Sequence, residues 1–365
     1  MSKKNANSGP SAAAARKELE RVDRDLLKLI SDRTRITQKL ARARHQEGGQ
    51  LHDMSEEDGA IQKLLEQNKG PLNEAGLRNI WRELQGQARA LVQPQRIAYL
   101  GPKFSYSHLA GIAKFGDSTD LLPLATIKAV FEAVSVGEVN YGIVPIENST
   151  DGRVVDTLDM FARVPLQITG EVQLKIHHCL LGKCVRSQIT EVYSKPQALS
   201  QCRDWLAKNL PSIRTVEVTS TATAAQIAVD KPGAAAVASY EAGLNYGLNV
   251  IDANIEDNKN NVTRFAVIGG EAPKRSGRDK TSVMFAIPHK PGALADAMAV
   301  FKRGGLNMTW IESFPMPNMK NEYLFFVELE GHQADSKVKS ALAALAKKTD
   351  KLSVLGSYPK GAAAD

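Results

Sequence analysis

The chain has 365 residues, 43% of them hydrophobic and 24% charged, with 47 Lys and Arg against 40 Asp and Glu for a net charge of +7. That describes a soluble globular protein with room for two or three domains, each burying its own core. The surplus is a weak positive bias that suits small anionic ligands; no basic stripe interleaved with aromatics appears, which argues against nucleic acid, and no apolar run has the length of a membrane span.

Residues 1–15, rich in Ser, Asn, Lys, Ala and Gly, read as a disordered tail without the apolar region of a signal peptide. Residues 16–46 form one long expected helix, with Leu19, Val22, Leu26, Leu29, Arg33, Ile36 and Leu40 recurring every three or four positions. Arg33 interrupts this stripe, and Arg16 and Arg44 each lie a whole number of heptads from Asp23. A guanidinium there needs an anion, either an internal carboxylate such as Asp23 or a ligand held between helices. Shorter helices follow at 54–68 and 73–92, the last carrying Leu77, Ile80, Trp81, Leu84, Ala88 and Leu91. An all-helical module this elongated is expected to pair with a second copy.

From Gln95 the pattern changes to short strands alternating with helices, which implies a mostly parallel sheet covered on both faces. Strands are expected at Arg96–Leu100, Leu121–Leu124 and Tyr141–Ile146, and Leu166–Ile176 reads as a crossover into a second lobe spanning about 172–252. That lobe repeats the alternation, and the chain returns through Asp252–Asn261 into a strand at Thr263–Ile268. Three polar clusters, Ser105-Tyr106-Ser107, Glu147-Asn148-Ser149-Thr150 and Thr263-Arg264-Phe265, fall at ends of expected strands, where open α/β sheets build ligand sites. Two lobes joined by crossing segments place Thr263 in the cleft between them.

Glu271–Lys280 reads as a linker, and the remainder follows the order βαββαβ of a ferredoxin-like domain. Pro291-Gly292 opens its first helix and leaves backbone N–H groups free for a carboxylate. Cys179, Cys184 and Cys202 are too few for a disulfide framework and read as buried thiols of a reducing, cytoplasmic compartment; no ligand set completes a metal site.

Tyr99-Leu100-Gly101-Pro102-Lys103, Ser105-Tyr106-Ser107-His108, Val144-Pro145-Ile146-Glu147-Asn148-Ser149, His178-Cys179-Leu180-Leu181 and Thr263-Arg264-Phe265 together resemble the prephenate dehydratase family. Gly292-Ala293-Leu294 and Glu312-Ser313-Phe314-Pro315 look like the ACT domain that binds phenylalanine in those enzymes, and the N-terminal helices resemble a fused chorismate mutase module. The resemblance covers residues 16–358 and implies the bifunctional family: a helical mutase domain over 16–93, a two-lobed periplasmic-binding-protein-like dehydratase domain over 95–270 and an ACT domain over 280–358. It implies a homodimer or higher oligomer acting on prephenate and chorismate, with phenylalanine as effector and no cofactor.

Carried over by position, Thr263 is the proton donor or its positioning group, Arg264 the carboxylate anchor, and Asn148, Ser149 and Gln201 orient the substrate, with Phe265, Ser105, Ser107 and Glu147 around it. In the mutase, Arg16 and Arg33 match two carboxylate anchors, Arg44 stands for a lysine, and Asp53 and Glu57 match polar supports. Gly292, Ala293, Leu294, Asn307, Glu312 and Ser313 match the phenylalanine site. The chain departs from the family at Phe104, where glycine is usual and a re-routed loop is expected, and at Phe314, where arginine is common. It departs again at Glu56 in place of an arginine and at Ala88 and Val92 in place of a serine and a glutamine, with Gln93 one residue off. The non-enzymatic alternative is a two-lobed small-acid sensor, but the first helix is too long and heptad-like for a helix-turn-helix.

Overall fold

A computed structural model describes residues 11–48, 51, 54–315, 323–361 and 363–364. The first helix starts earlier than expected, because the Ser11 side chain accepts the Ala14 N–H and caps it. It runs as α1 (Ala12–Gln46) and is followed by α2 (Met54–Gln67) and α3 (Glu74–Val92), the last capped by Asn73. The apolar stripe of α1 stays bare: Leu26 is 52% and Leu29 65% exposed.

The first lobe contains β1 (Arg96–Leu100), α4 (Tyr106–Phe115), β2 (Asp120–Leu124), α5 (Ile127–Ser135), β3 (Tyr141–Asn148), β4 (Gly152–Arg153), α6 (Val155–Arg163) and β5 (Ile168–Lys175). The second contains β6 (Cys179–Gly182), β7 (Glu191–Ser194), α7 (Pro196–Gln201), α8 (Arg203–Asn209), β8 (Arg214–Glu217), α9 (Thr221–Asp230), β9 (Ala234–Ala238), α10 (Tyr240–Asn245) and β10 (Asn249–Asp252). The chain then returns as β11 (Val262–Gly269).

Both sheets are mixed rather than mostly parallel. In the first, β1 runs parallel to β2 and β3, but β11 inserts between β3 and β5 and opposes both. In the second, ordered β10–β6–β9–β7–β8, the strand that enters the lobe and the one that leaves it pair antiparallel. Residues 172–175 therefore belong to the first lobe's sheet, and the second lobe begins at Cys179. The two crossing segments are tied by Glu256, whose carboxylate accepts the His178 N–H at 2.9 Å and meets His177 Nδ1 at 3.0 Å.

The C-terminal unit is β12 (Asp279–Ala286), α11 (Ala293–Gly304), β13 (Met308–Pro315), β14 (Tyr323–Glu330), α12 (Ser336–Ala346) and β15 (Lys351–Pro359), with sheet order β13–β14–β12–β15, all antiparallel. This is the ferredoxin-like arrangement. A short β16 (Ala363–Ala364) runs back onto β5. Strand alternation divides the C-terminal sheet. Val283, Phe285 and Val327 pack under α11 and α12, whereas Met284, Ala286, Phe326 and Tyr358 pack on Ile146, Phe161 and Ile168 of the first lobe. The domain is docked on the first lobe, and the expected linker gives up its last residues to β12, with Lys280 buried. Phe314 joins the same interface at 6% exposure, so an apolar residue there serves packing between domains.

Candidate active site

The cleft between the lobes has a volume of about 840 Å³. Its first-lobe wall includes the start of α4, the end of β3 and the start of β11; facing them are His178 of the crossing segment and, from the second lobe, Lys195, Gln201 and the start of α9. The chemistry-bearing groups lie at strand ends and helix starts because β11 is central and the helices begin beside it.

Thr263 and Asn148 are register partners on β11 and β3, so their side chains share the cleft face. The Asn148 Oδ1 accepts the backbone N–H of Thr150 at 2.9 Å and of Asp151 at 3.1 Å. This fixes the amide, whose Nδ2 donates to Thr263 Oγ1 at 2.7 Å and to Asn261 Oδ1 at 3.0 Å. Thr263 Oγ1 accepts from Asn148 and keeps its own proton available to the cleft.

The network continues across the lobes. Asn261 Nδ2 donates to Gln201 Oε1 at 3.0 Å, and that oxygen also meets His178 Nε2 at 2.9 Å. Gln201 Nε2 donates to Asp151 Oδ2 at 2.8 Å, which fixes its orientation. Acceptance by Gln201 makes Nε2 the protonated nitrogen of His178, and its Nδ1 meets the Tyr106 hydroxyl at 3.1 Å. Burial, against the hydrogen bond to Gln201, holds the imidazole below its ordinary 6.5, so His178 is neutral at pH 7. Burial also pushes the Tyr106 hydroxyl well above 10.0.

The structure brings together Thr263, Asn148, Gln201, Phe265, Ser105 and Ser107 around the cleft. Ser105 spends its hydroxyl locally: it caps α4 and donates to Leu100 O at 3.0 Å. Ser149 holds the loop, its Oγ accepting the Val262 N–H at 2.9 Å, and does not line the cleft.

Arg264 and Glu147 correct the expectation drawn from the motif. Each is one residue from a cleft-facing neighbour and so points to the other face of the sheet. There the Arg264 guanidinium binds Glu147 at 2.7 Å, Glu171 at 2.9 Å and Glu328 of the C-terminal sheet at 2.7 Å, and it stacks on Trp310 at 5.4 Å. Lys280 joins the cluster 3.0 Å from Glu171. Burial works to lower the Arg264 pKa, but Glu328 and Glu171 hold it far above the ordinary value. With three carboxylates on it, this arginine is no free anchor in the cleft.

Phe104 takes φ 65, the left-handed region that favours glycine. Its ring compensates by packing across the lobes, edge-on to Tyr246 at 5.6 Å and to His108 at 5.3 Å. Sequence reasoning missed His178 as a cleft group, Asn261 and Asp151 as its network, and Arg153 and Lys195 as the cations on the cleft wall. His178 opens the segment His178-Cys179-Leu180-Leu181 and Asp151 follows Glu147-Asn148-Ser149-Thr150, so proximity to motifs is the available signal. Cys179 and Cys202 are buried, and Cys184 is only half-buried.

In the helical module Arg33 and Arg16 are about 25 Å apart along α1 at ~1.5 Å per residue, too far to share one ligand within a chain. Arg33 Nη1 is buried without a hydrogen-bond partner among the described residues. Arg44 is engaged by Glu56, and Glu57 by Arg89, a buried residue of α3 not foreseen as part of this site. Burial raises the Glu57 carboxyl even though Arg89 opposes it. Asp53 lies outside the described residues. Ala88 is buried, and Gln93 sits at the C-cap in extended backbone, outside the helix.

In the C-terminal domain a hollow of about 580 Å³ is lined by Gly292, Ala293 and Leu294 with Tyr323 and Phe325. Asn307, Glu312 and Ser313 are not in its lining. Glu312 and Ser313 lie on β13, the edge strand, and Glu312 is paired with Arg153 of the first lobe.

A hydroxyl-and-amide cleft between two lobes, flanked by a helical module and a ferredoxin-like domain, is the layout of a multidomain small-molecule enzyme. Residues 97–273 match the prephenate dehydratase family model, and residues 15–93 match that of chorismate mutase type II. A bifunctional chorismate mutase/prephenate dehydratase of Aquifex aeolicus is 40% identical over 350 residues, covering 94% of this chain and 97% of the relative. The crystal structure of a prephenate dehydratase from Arthrobacter aurescens in complex with L-Phe superposes with a TM-score of 0.68 at 33% identity, over 73% of this chain and 90% of that one. GqqA, described as a novel type of quorum quenching acylase, gives 0.66 at 28% identity over 73% and 98%. The chain belongs to the bifunctional chorismate mutase/prephenate dehydratase family.

Proposed function

We propose that the interlobe cleft converts prephenate to phenylpyruvate with loss of water and carbon dioxide, and that Thr263 is its central donor. The carrying observation is the 2.7 Å hydrogen bond from Asn148 Nδ2 to Thr263 Oγ1, which leaves the threonine proton to the substrate. As the ring C–O bond breaks, negative charge builds on the departing oxygen. A hydrogen bond from Thr263 strengthens at that moment, and the fixed Asn148 amide stabilises the charge drawn onto Oγ1. Loss of the ring carboxylate as carbon dioxide supplies the electron pair that completes the aromatic ring. Gln201, Ser107 and Phe265 shape the pocket around it.

An acylase, the activity named for one structural neighbour, needs a nucleophile beside a base. His178 instead meets Tyr106 and Gln201 with its two ring nitrogens, which favours the dehydratase reading. Among the described residues no helix is long and apolar enough to cross a membrane.

The helical module is proposed to act on chorismate as a dimer, with Arg16 of one chain completing a site built on Arg33, Arg44 and Glu57 of the other. Its turnover is weakened, because Glu56 already engages Arg44. The C-terminal domain is proposed as an ACT domain that binds phenylalanine. Gly292–Leu294 of one chain and Glu312 and Ser313 of a second would complete that site, since a single chain does not bring them together.

Incubating the purified protein with prephenate and following phenylpyruvate absorbance tests the main reading; the same assay started from chorismate tests the mutase. Phenylpyruvate formed from prephenate is the expected result, and no product at any protein concentration would contradict it.

A further inference from the structure

Since Arg264 is turned away, the cleft needs another cation for a carboxylate. Two basic side chains line it, Arg153 on the first lobe and Lys195 on the second. Arg153 differs from Lys195 in being held by a third part of the molecule. Its Nη1 donates to Glu312 Oε2 of the C-terminal domain at 2.8 Å, with the arginine 39% and the glutamate 22% exposed. Arg153 lies opposite Glu147 across β4 and β3, its bond to Glu312 is on the side that faces the C-terminal domain, and the residue also lines the cleft. One of its five N–H donors is used by Glu312, and the fork retains donors for a second carboxylate.

We propose that Arg153 is the substrate-carboxylate anchor of the dehydratase cleft, and that Glu312 is the positioning residue that aims it. This rests on the dehydratase reading above. A flexible arginine at a cleft rim gains affinity for an anion when a fixed carboxylate pre-sets its plane, because less rotamer freedom is lost on binding. A ligand whose ammonium draws Glu312 away releases Arg153 and weakens substrate binding. An amino acid bound at the C-terminal domain therefore raises KM for prephenate through this ion pair, and prephenate weakens the amino acid's binding in return.

The test compares the full-length wild type with Arg153→Gln, Arg153→Lys and Glu312→Gln, with circular dichroism to verify folding. Arg153→Gln is expected to raise KM for prephenate about tenfold to a hundredfold, the range for one hydrogen bond to a charged group, with kcat within about threefold. Arg153→Lys recovers part of that loss, and Glu312→Gln gives a smaller rise in KM than Arg153→Gln. Calorimetry shows phenylalanine still bound to Arg153→Gln, yet phenylalanine no longer raises its KM. An unchanged KM in folded Arg153→Gln, or phenylalanine raising that variant's KM by the wild-type factor, overturns the proposal alone. Absence of prephenate turnover in the wild type overturns the dehydratase reading and this inference with it.

Discussion

Thr263 and Arg264 are consecutive residues of β11 that serve opposite faces of one sheet. The threonine hydroxyl is in the cleft on Asn148, and the arginine is on Glu328 of the C-terminal domain. Strand β11 is thus clamped from behind by a buried charge cluster that joins the two domains.

That placement makes Arg264 a stability residue. Among the described residues, Arg264→Ala leaves Glu171 and Glu328 with Lys280 as their remaining cation and strips Glu147 of its guanidinium, and removing one partner of a buried ion pair costs about 3–5 kcal/mol. Urea denaturation should show a loss of that order. A variant with wild-type stability and a raised KM would return Arg264 to the role of substrate anchor.

The same cluster sets a pH signature. Burial works to raise the Glu171 carboxyl, but Lys280 and Arg264 overcome that and hold it below its ordinary 4.5. A depressed carboxyl contributes stability that is full above the unfolded value, near 4.5, and is lost as pH falls through the lower folded value. The stability difference between wild type and Glu171→Gln should be constant from pH 8 to about 5 and shrink below about 4.5. A difference that grew on acidification would contradict this.

The bare stripe on α1 predicts the assembly. Leu26→Glu with Leu29→Glu places charge on two exposed leucines that a second copy would cover, so light scattering should show dissociation. Mutase turnover should vanish with it, because Arg16 and Arg33 of one chain cannot meet on one ligand. A monomeric variant with undiminished mutase activity would refute the shared site.

Fold legibility followed hydrophobic period. The βαββαβ order was readable because its strands alternate cleanly, Val283 and Phe285 inward against Met284 and Ala286. The mixed character of both sheets was not, since a strand's direction depends on where the chain returns, and β11 inserts from far along the sequence. In the site, the motifs located Thr263 and Asn148 but said nothing about which neighbour faces the cleft. Strand alternation alone would have separated Thr263 from Arg264 and Asn148 from Glu147. Phe104 at positive φ was hidden for another reason: its compensation comes from Tyr246 in the second lobe, a contact no local pattern records.

The measurement closest to the central claim is single-turnover kinetics of Thr263→Ala with prephenate, beside a thermal melt. Loss of one hydrogen-bond donor to the transition state costs about 3–4 kcal/mol, so kcat should fall by about two to three orders of magnitude with the melting temperature nearly unchanged. Thr263→Ser, which keeps the hydroxyl on Asn148, should retain much of the activity. A folded Thr263→Ala enzyme turning over at close to the wild-type rate would contradict the account.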